Sequence, residues 1–70
     1  MSANKRGTPD ILAVINGRFV AIEVKTEKGK ASAIQQAQIR RIQQAGGVAF
    51  IAKSVDEVIE NLAISDIALD

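Results

Sequence analysis

The stretch GTPDILAVINGRFVAIEVK, Gly7–Lys25, decides how this chain is read. It holds two apolar runs, Ile11–Ile15 and Arg18–Lys25, rich in Val, Ile and Phe, with Asn16-Gly17 between them. Runs of this composition read as strands. Asn-Gly between them is the strongest short hairpin signal, because a type I′ turn needs positive φ at both central residues. A two-residue turn also fixes the register. Ile15 then faces Arg18, Val14 faces Phe19, and the pairing runs on until Asp10 faces Glu23. Side chains alternate along a strand, so Lys25 shares the face of Glu23. The turn thus delivers two carboxylates and an ammonium to one spot at the open end of the hairpin. Like charges directly opposite each other destabilise a sheet. A divalent cation between them would remove that repulsion, and the Lys25 ammonium would remove part of it.

Outward from the hairpin, Thr26–Lys30 is polar and reads as a loop. Ala31–Ala45 reads as a helix, with Ile34, Ile39 and Ile42 near one face and Arg40 and Arg41 on the other. Gly46-Gly47 ends it. Val48–Ala52 is a short apolar strand. Ser54 and Glu57 form a capping box for a second helix over Val55–Leu62. The order is β-β-α-β-α, an α/β sandwich in a single domain over 1–70. Residues 1–6 form a basic arm and 63–70 a tail of undetermined structure.

Composition narrows the chemistry. The 70 residues contain no Cys and no His, which excludes disulfides, thiolate metal sites and the commonest general base. A metal here would take oxygen ligands, which favours Mg²⁺, Mn²⁺ or Ca²⁺. No apolar stretch approaches a membrane span and no signal peptide is visible, so a soluble, cytoplasmic protein is expected. So short a chain, 47% hydrophobic and without a covalent staple, is expected to gain core by forming a homodimer or higher homo-oligomer. Charge is unevenly spread. Residues 1–53 hold all nine Lys and Arg against three acids, a net +6, whereas 54–70 hold five acids and no base, a net −5. One face is thereby offered to an anionic partner.

Two carboxylates holding Mg²⁺ or Mn²⁺, with a lysine beside them, suit hydrolysis of a phosphodiester. Asp10 and Glu23 are the candidate ligands, with the Val24 backbone carbonyl as a further oxygen. The bland reading is a strand end at the surface, with Asp10 a turn residue and Glu23–Lys25 a solvated pair. Against it, Glu23 sits in an almost unbroken apolar run, where a carboxylate needs a reason.

Pro9-Asp10 followed by Glu23-Val24-Lys25 resembles the motif of the PD-(D/E)xK nuclease superfamily. With GKASAIQQAQIRRIQQAGGVAFIAKSVDEVIENL, the chain over Gly7–Leu62 is similar to VRR-NUC domains of the small stand-alone phage and bacterial type. These are similar in fold to archaeal Holliday junction resolvases. The resemblance implies a minimal restriction-endonuclease-like core with a mixed sheet. It also implies a Mg²⁺- or Mn²⁺-dependent deoxyribonuclease acting on structured or branched DNA, often as a homodimer. Asp10 and Glu23 would be metal ligands and Lys25 the catalytic lysine. The family also places a Gln on the following helix, here Gln35. That residue has a second reading, since Ser32 and Gln35 are spaced as a capping box. In one respect the chain departs from the pattern. Related domains usually carry a helix before Pro-Asp, with a Glu that completes the metal site, and only nine residues precede Asp10. The other function class is therefore a catalytically inactive nucleic-acid-binding module on the same fold. Lys5, Arg6, Lys28, Lys30, Arg40 and Arg41 would serve either function as phosphate contacts. With two Phe and no Trp or Tyr, there is no platform for stacking single-stranded bases.

Overall fold

A computed structural model describes residues 8–67. Asn16 and Gly17 turn the chain with φ of 51° and 78°, the left-handed pair a type I′ turn requires. The flanking strands β1 (Ile11–Ile15) and β2 (Arg18–Val24) pair antiparallel, from Ile15 against Arg18 to Ile11 against Ile22. This is the register the turn dictates. β2 is one residue shorter than predicted, though the Lys25 N–H still donates to the Ala52 carbonyl at 3.0 Å. Asp10 stands just outside the ladder, in a bend after the buried Pro9.

Helix α1 (Ala33–Gln44) begins two residues later than predicted, because Ser32 is its N-cap. Ser32 Oγ accepts the Gln35 N–H and Gln35 Oε1 accepts the Ser32 N–H, a complete capping box. The helix closes at Ala45, and Gly46 follows with φ +96°, as an αL residue after a helix should. Gly47 then lets the chain pass close under the helix: a Cβ there would lie 2.8 Å from Ile42 Cγ2. Strand β3 (Val48–Ala52) returns parallel to β2, with Val20 beside Val48 and Val24 beside Ala52. The mixed sheet has the order β1-β2-β3.

Helix α2 (Val55–Ile64) is two residues longer than predicted. Only half of its predicted capping box forms. Ser54 Oγ accepts the Glu57 N–H, but the Glu57 carboxylate accepts from Lys53 N–H rather than from Ser54. Within the predicted tail, Ala63 and Ile64 belong to α2 and Ile67 is buried, and residues 68–70 lie outside the described residues. The basic arm predicted over 1–6 lies outside the described residues. Among those described, no helix is long and apolar enough to cross a membrane.

Two cores follow from strand alternation. On one face Val20, Ile22, Val48, Phe50 and Ala52 pack with Leu62 of α2 and Ile67. On the other, Ala21 and Ala49 pack with Ile39 of α1, flanked by Ile42 and Ile51. The small alanines let α1 lie close to the sheet. Ile34, predicted on the core-facing side of α1 with Ile39 and Ile42, is instead 44% exposed. Glu23 and Lys25 share the face of Ala21, so they project on the α1 side.

Candidate active site

Glu23 is the one buried charged residue among the described residues, at 2% exposure. Its position follows from the hairpin: two residues beyond Ala21, on the same face, at the end where β2 emerges from under α1. Its neighbour on β3 is Ile51, so its surroundings are largely apolar. Burying a carboxylate without partners is costly. Two groups compensate it, both on the same oxygen. Lys25 Nζ lies 3.2 Å from Glu23 Oε2, and Gln35 Nε2 donates to Oε2 at 3.0 Å. Glu23 Oε1 is buried and has no hydrogen-bond partner.

Asp10 approaches from the other strand. Its Oδ2 accepts the Val24 N–H at 2.9 Å. This bond continues the hairpin by one rung, with a side chain in place of backbone. In an extended strand the N–H and C=O of one residue point to the same edge. The Val24 carbonyl is therefore also directed toward the Asp10 side. Asp10 itself is exposed.

The site thus gathers Asp10, Glu23, Val24, Lys25 and Gln35. One Gln35 side chain makes two contacts: its oxygen completes the capping box and its amide nitrogen donates to Glu23. The bland reading of Glu23–Lys25 as a solvated pair fails on burial. Fit to a divalent cation can be judged on the orphaned Glu23 Oε1. A buried carboxylate oxygen facing no donor is the kind of atom a hard cation satisfies, and every candidate donor here is oxygen, the set Mg²⁺ and Mn²⁺ take. Among the described residues no group of three or more His, Cys, Asp and Glu that could hold a metal ion occurs.

A sequence model of the archaeal Holliday junction resolvase family, Hjc, matches residues 1–69. The chain belongs to this family. It is a PD-(D/E)xK-like nuclease family, and the resolvase match embraces every element described above. No curated protein and no solved structure matches the chain.

Of the expected phosphate contacts, Lys28 and Lys30 are exposed on the loop between β2 and α1, at the end of the sheet that bears Glu23. Arg40 and Arg41 are exposed on α1. Lys5 and Arg6 lie outside the described residues. One cation at this end escaped the sequence reading. Lys53 follows β3 as Lys25 follows β2, and the parallel register sets the two side by side. Its Nζ donates to the Glu27 carbonyl at 3.1 Å, tying the β2–α1 loop to β3. Its signal is the parallel pairing of the two strand ends, Val24 beside Ala52. A recess of about 310 Å³ lies at the opposite end of the sheet, lined in part by Arg18, Gln43, Asn61 and Ser65. It gathers no carboxylate, and Arg18 there donates to the Ser65 carbonyl.

Proposed function

We propose that this resolvase-family chain is a divalent-metal-dependent endonuclease that hydrolyses phosphodiester bonds in DNA, with branched duplexes as its substrate class. The observation that carries the reading is Glu23: buried, held through Oε2 by Lys25 and Gln35, and open at Oε1. A merely structural acid would have both oxygens satisfied. Asp10, Glu23 and the Val24 carbonyl would hold Mg²⁺ or Mn²⁺. When bound, such an ion lowers the pKa of a water and stabilises charge on a phosphoryl oxygen. The residues themselves do the rest. The Val24 N–H fixes the Asp10 carboxylate, Gln35 fixes Glu23, and Lys25 presents an ammonium that can neutralise charge as it builds on the phosphate. Lys28 and Lys30 on the adjoining loop contact the phosphate backbone, as do Arg40 and Arg41 on α1.

Two finer points belong to the same proposal. The spacing from Pro9-Asp10 to Glu23-Val24-Lys25 and Gln35 supports assignment to the VRR-NUC type. Self-association is supported by apolar side chains that the single chain leaves outside, among them Val14 at 73%, Val55 at 74% and Ile64 at 82% exposure.

The test is cleavage of a four-way junction, a linear duplex and a single strand, each with Mg²⁺, with Mn²⁺ and with EDTA. Metal-dependent cutting that favours the junction is expected. Binding without cutting under every condition would replace the enzyme with an inactive binding module. Calorimetric titration with Mn²⁺ should show binding that Asp10→Ala removes; equal binding by parent and variant would reject Asp10 as a ligand.

A further inference from the structure

The active-site carboxylate is joined to the start of α1 by an unbroken hydrogen-bond relay. Ser32 Oγ accepts the Gln35 N–H at 3.1 Å. The Ser32 N–H donates to Gln35 Oε1 at 2.9 Å. Gln35 Nε2 donates to Glu23 Oε2 at 3.0 Å. Each link constrains the next. A side-chain amide has a donor end and an acceptor end of nearly the same shape, and only its partners decide which way it points. A backbone N–H can only donate, so the Ser32 N–H must meet the amide oxygen. The amide NH₂ is then forced toward Glu23. With the amide turned over, oxygen would face carboxylate oxygen, and NH₂ would face N–H.

From this relay we infer that Ser32 is a positioning residue for the nuclease site, acting through Gln35 to determine which oxygen of Glu23 stays open. The inference rests on the metal-site reading above. The Ser32 hydroxyl is the anchor of the relay. By accepting the Gln35 N–H it holds Ser32 in the extended N-cap conformation, φ −68° and ψ 166°, which aims the Ser32 N–H back at the amide oxygen. Gln35 and Lys25 together then occupy Oε2, and Oε1 alone is left without a partner. Glu23 is thereby prepared to ligate through one oxygen rather than two. Ser32 is exposed and its hydrogen bonds go to Gln35 and within α1 rather than to Glu23 or Asp10, so its own bonding does not mark it as part of a site.

The inference separates Ser32 from an ordinary helix cap. A cap that only stabilises α1 would lower thermal stability when removed and leave the folded site alone. A positioning residue changes the site in the folded protein, and its effect vanishes once Gln35 is gone. The experiment is a cycle of Ser32→Ala, Gln35→Ala and the double variant, with Ser32→Thr and Ser32→Asp as rescues that keep an oxygen able to accept the Gln35 N–H. Two readouts are taken on folded protein: Mn²⁺ affinity by calorimetry, and the Gln35 side-chain amide resonances by NMR without metal. Ser32→Ala is expected to weaken Mn²⁺ binding about tenfold, the scale of a lost outer-shell partner. The double variant should be no worse than Gln35→Ala, and Thr and Asp should restore binding. In the metal-free spectrum, Ser32→Ala should move the Gln35 amide protons toward the position of a solvated glutamine, as Glu23→Ala should. Unchanged Gln35 resonances in folded Ser32→Ala would overturn the inference, as would losses that multiply in the double variant. If the parent binds no Mn²⁺, the metal-site reading fails on its own, while the amide resonances still decide whether Ser32 orients Gln35.

Discussion

A carboxylate at Glu23 has to be compensated, because the backbone that carries it is apolar on both sides and the side chain is 2% exposed. Lys25 supplies the only ion pair to it among the described residues, at 3.2 Å. The ammonium is itself partly exposed, so the pair is weaker than a fully buried one. Removing Lys25 should therefore have two separable effects. Lys25→Ala leaves Glu23 one donor short, and a stability loss of about 1–3 kcal/mol is expected from the unsatisfied charged group. Saturating Mn²⁺ should recover part of that loss, since an ion bound at the open oxygen neutralises the same carboxylate. Denaturant unfolding with and without Mn²⁺ checks this; equal stability of variant and parent without metal would show that the pair contributes nothing. Catalysis is the second effect. An ammonium has no lone pair with which to ligate the ion, so the proposed role of Lys25 is in the transition state, and cleavage should fall about 10²-fold. Single-turnover cutting of a junction at a temperature where both proteins are folded separates this from the first effect. A variant that cuts as fast as the parent would reduce Lys25 to a partner of Glu23.

At the scale of elements, the tightest passage is where α1 hands over to β3. Gly47 has Ile42 Cγ2 at 2.8 Å and the Ile42 carbonyl at 3.3 Å from where a Cβ would be, with Phe19 Cδ2 also at 3.3 Å. Gly47→Ala must displace Ile42, and Ile42 belongs to α1, the element that carries Gln35 to Glu23. A destabilisation of about 1–3 kcal/mol is expected, as for other overpacked positions, together with weaker Mn²⁺ binding. Unfolding midpoints and calorimetry test both, and a fully stable variant would mean that the helix can shift at no cost. The hairpin and β3 were legible because their signals are local: Asn16-Gly17 fixes one register, and the Gly46-Gly47 pair fixes where the strand can begin. Gln35 was legible as a residue but not as a role. A capping box is readable from spacing alone, whereas the bond to Glu23 depends on how closely α1 lies over Ala21 and Ala49. Glu57 shows the same limit. Ser54 and Glu57 have capping-box spacing, yet the Glu57 side chain reaches one residue further back to the Lys53 N–H. Ile34 was misplaced because helical periodicity marks an apolar face but not how much of that face the sheet covers.

The whole molecule has two chemically distinct sides. The sheet separates α1, which carries Arg40 and Arg41, from α2, which carries Asp56, Glu57 and Glu60 and has no base in its last turn. Glu23 and Lys25 project on the α1 side, and Lys28 and Lys30 rim the same end. The acidic helix packs on the opposite face through Leu62. DNA should therefore approach over α1 and the β2–α1 loop, with α2 turned away. Distance makes this a sharp expectation. The molecule measures 32 × 26 × 25 Å, and at about 0.1 M salt charges more than about 10 Å apart are largely screened. Cations on the α1 side should count fully toward phosphate binding, and charges on α2 should hardly count. Each cation that neutralises a phosphate steepens the fall of log affinity with log salt by about 0.9. Lys28→Ala with Lys30→Ala should flatten that slope by about 2 and weaken binding alike for every duplex sequence, because phosphate contacts carry no sequence information. Glu60→Gln, which makes the α2 side less negative by one charge, should leave the slope unchanged. Fluorescence anisotropy of a labelled junction in Ca²⁺, across a salt series, reads all three proteins side by side. A slope that the loop substitutions leave alone, or that Glu60→Gln alters as much as they do, would put the DNA on another face.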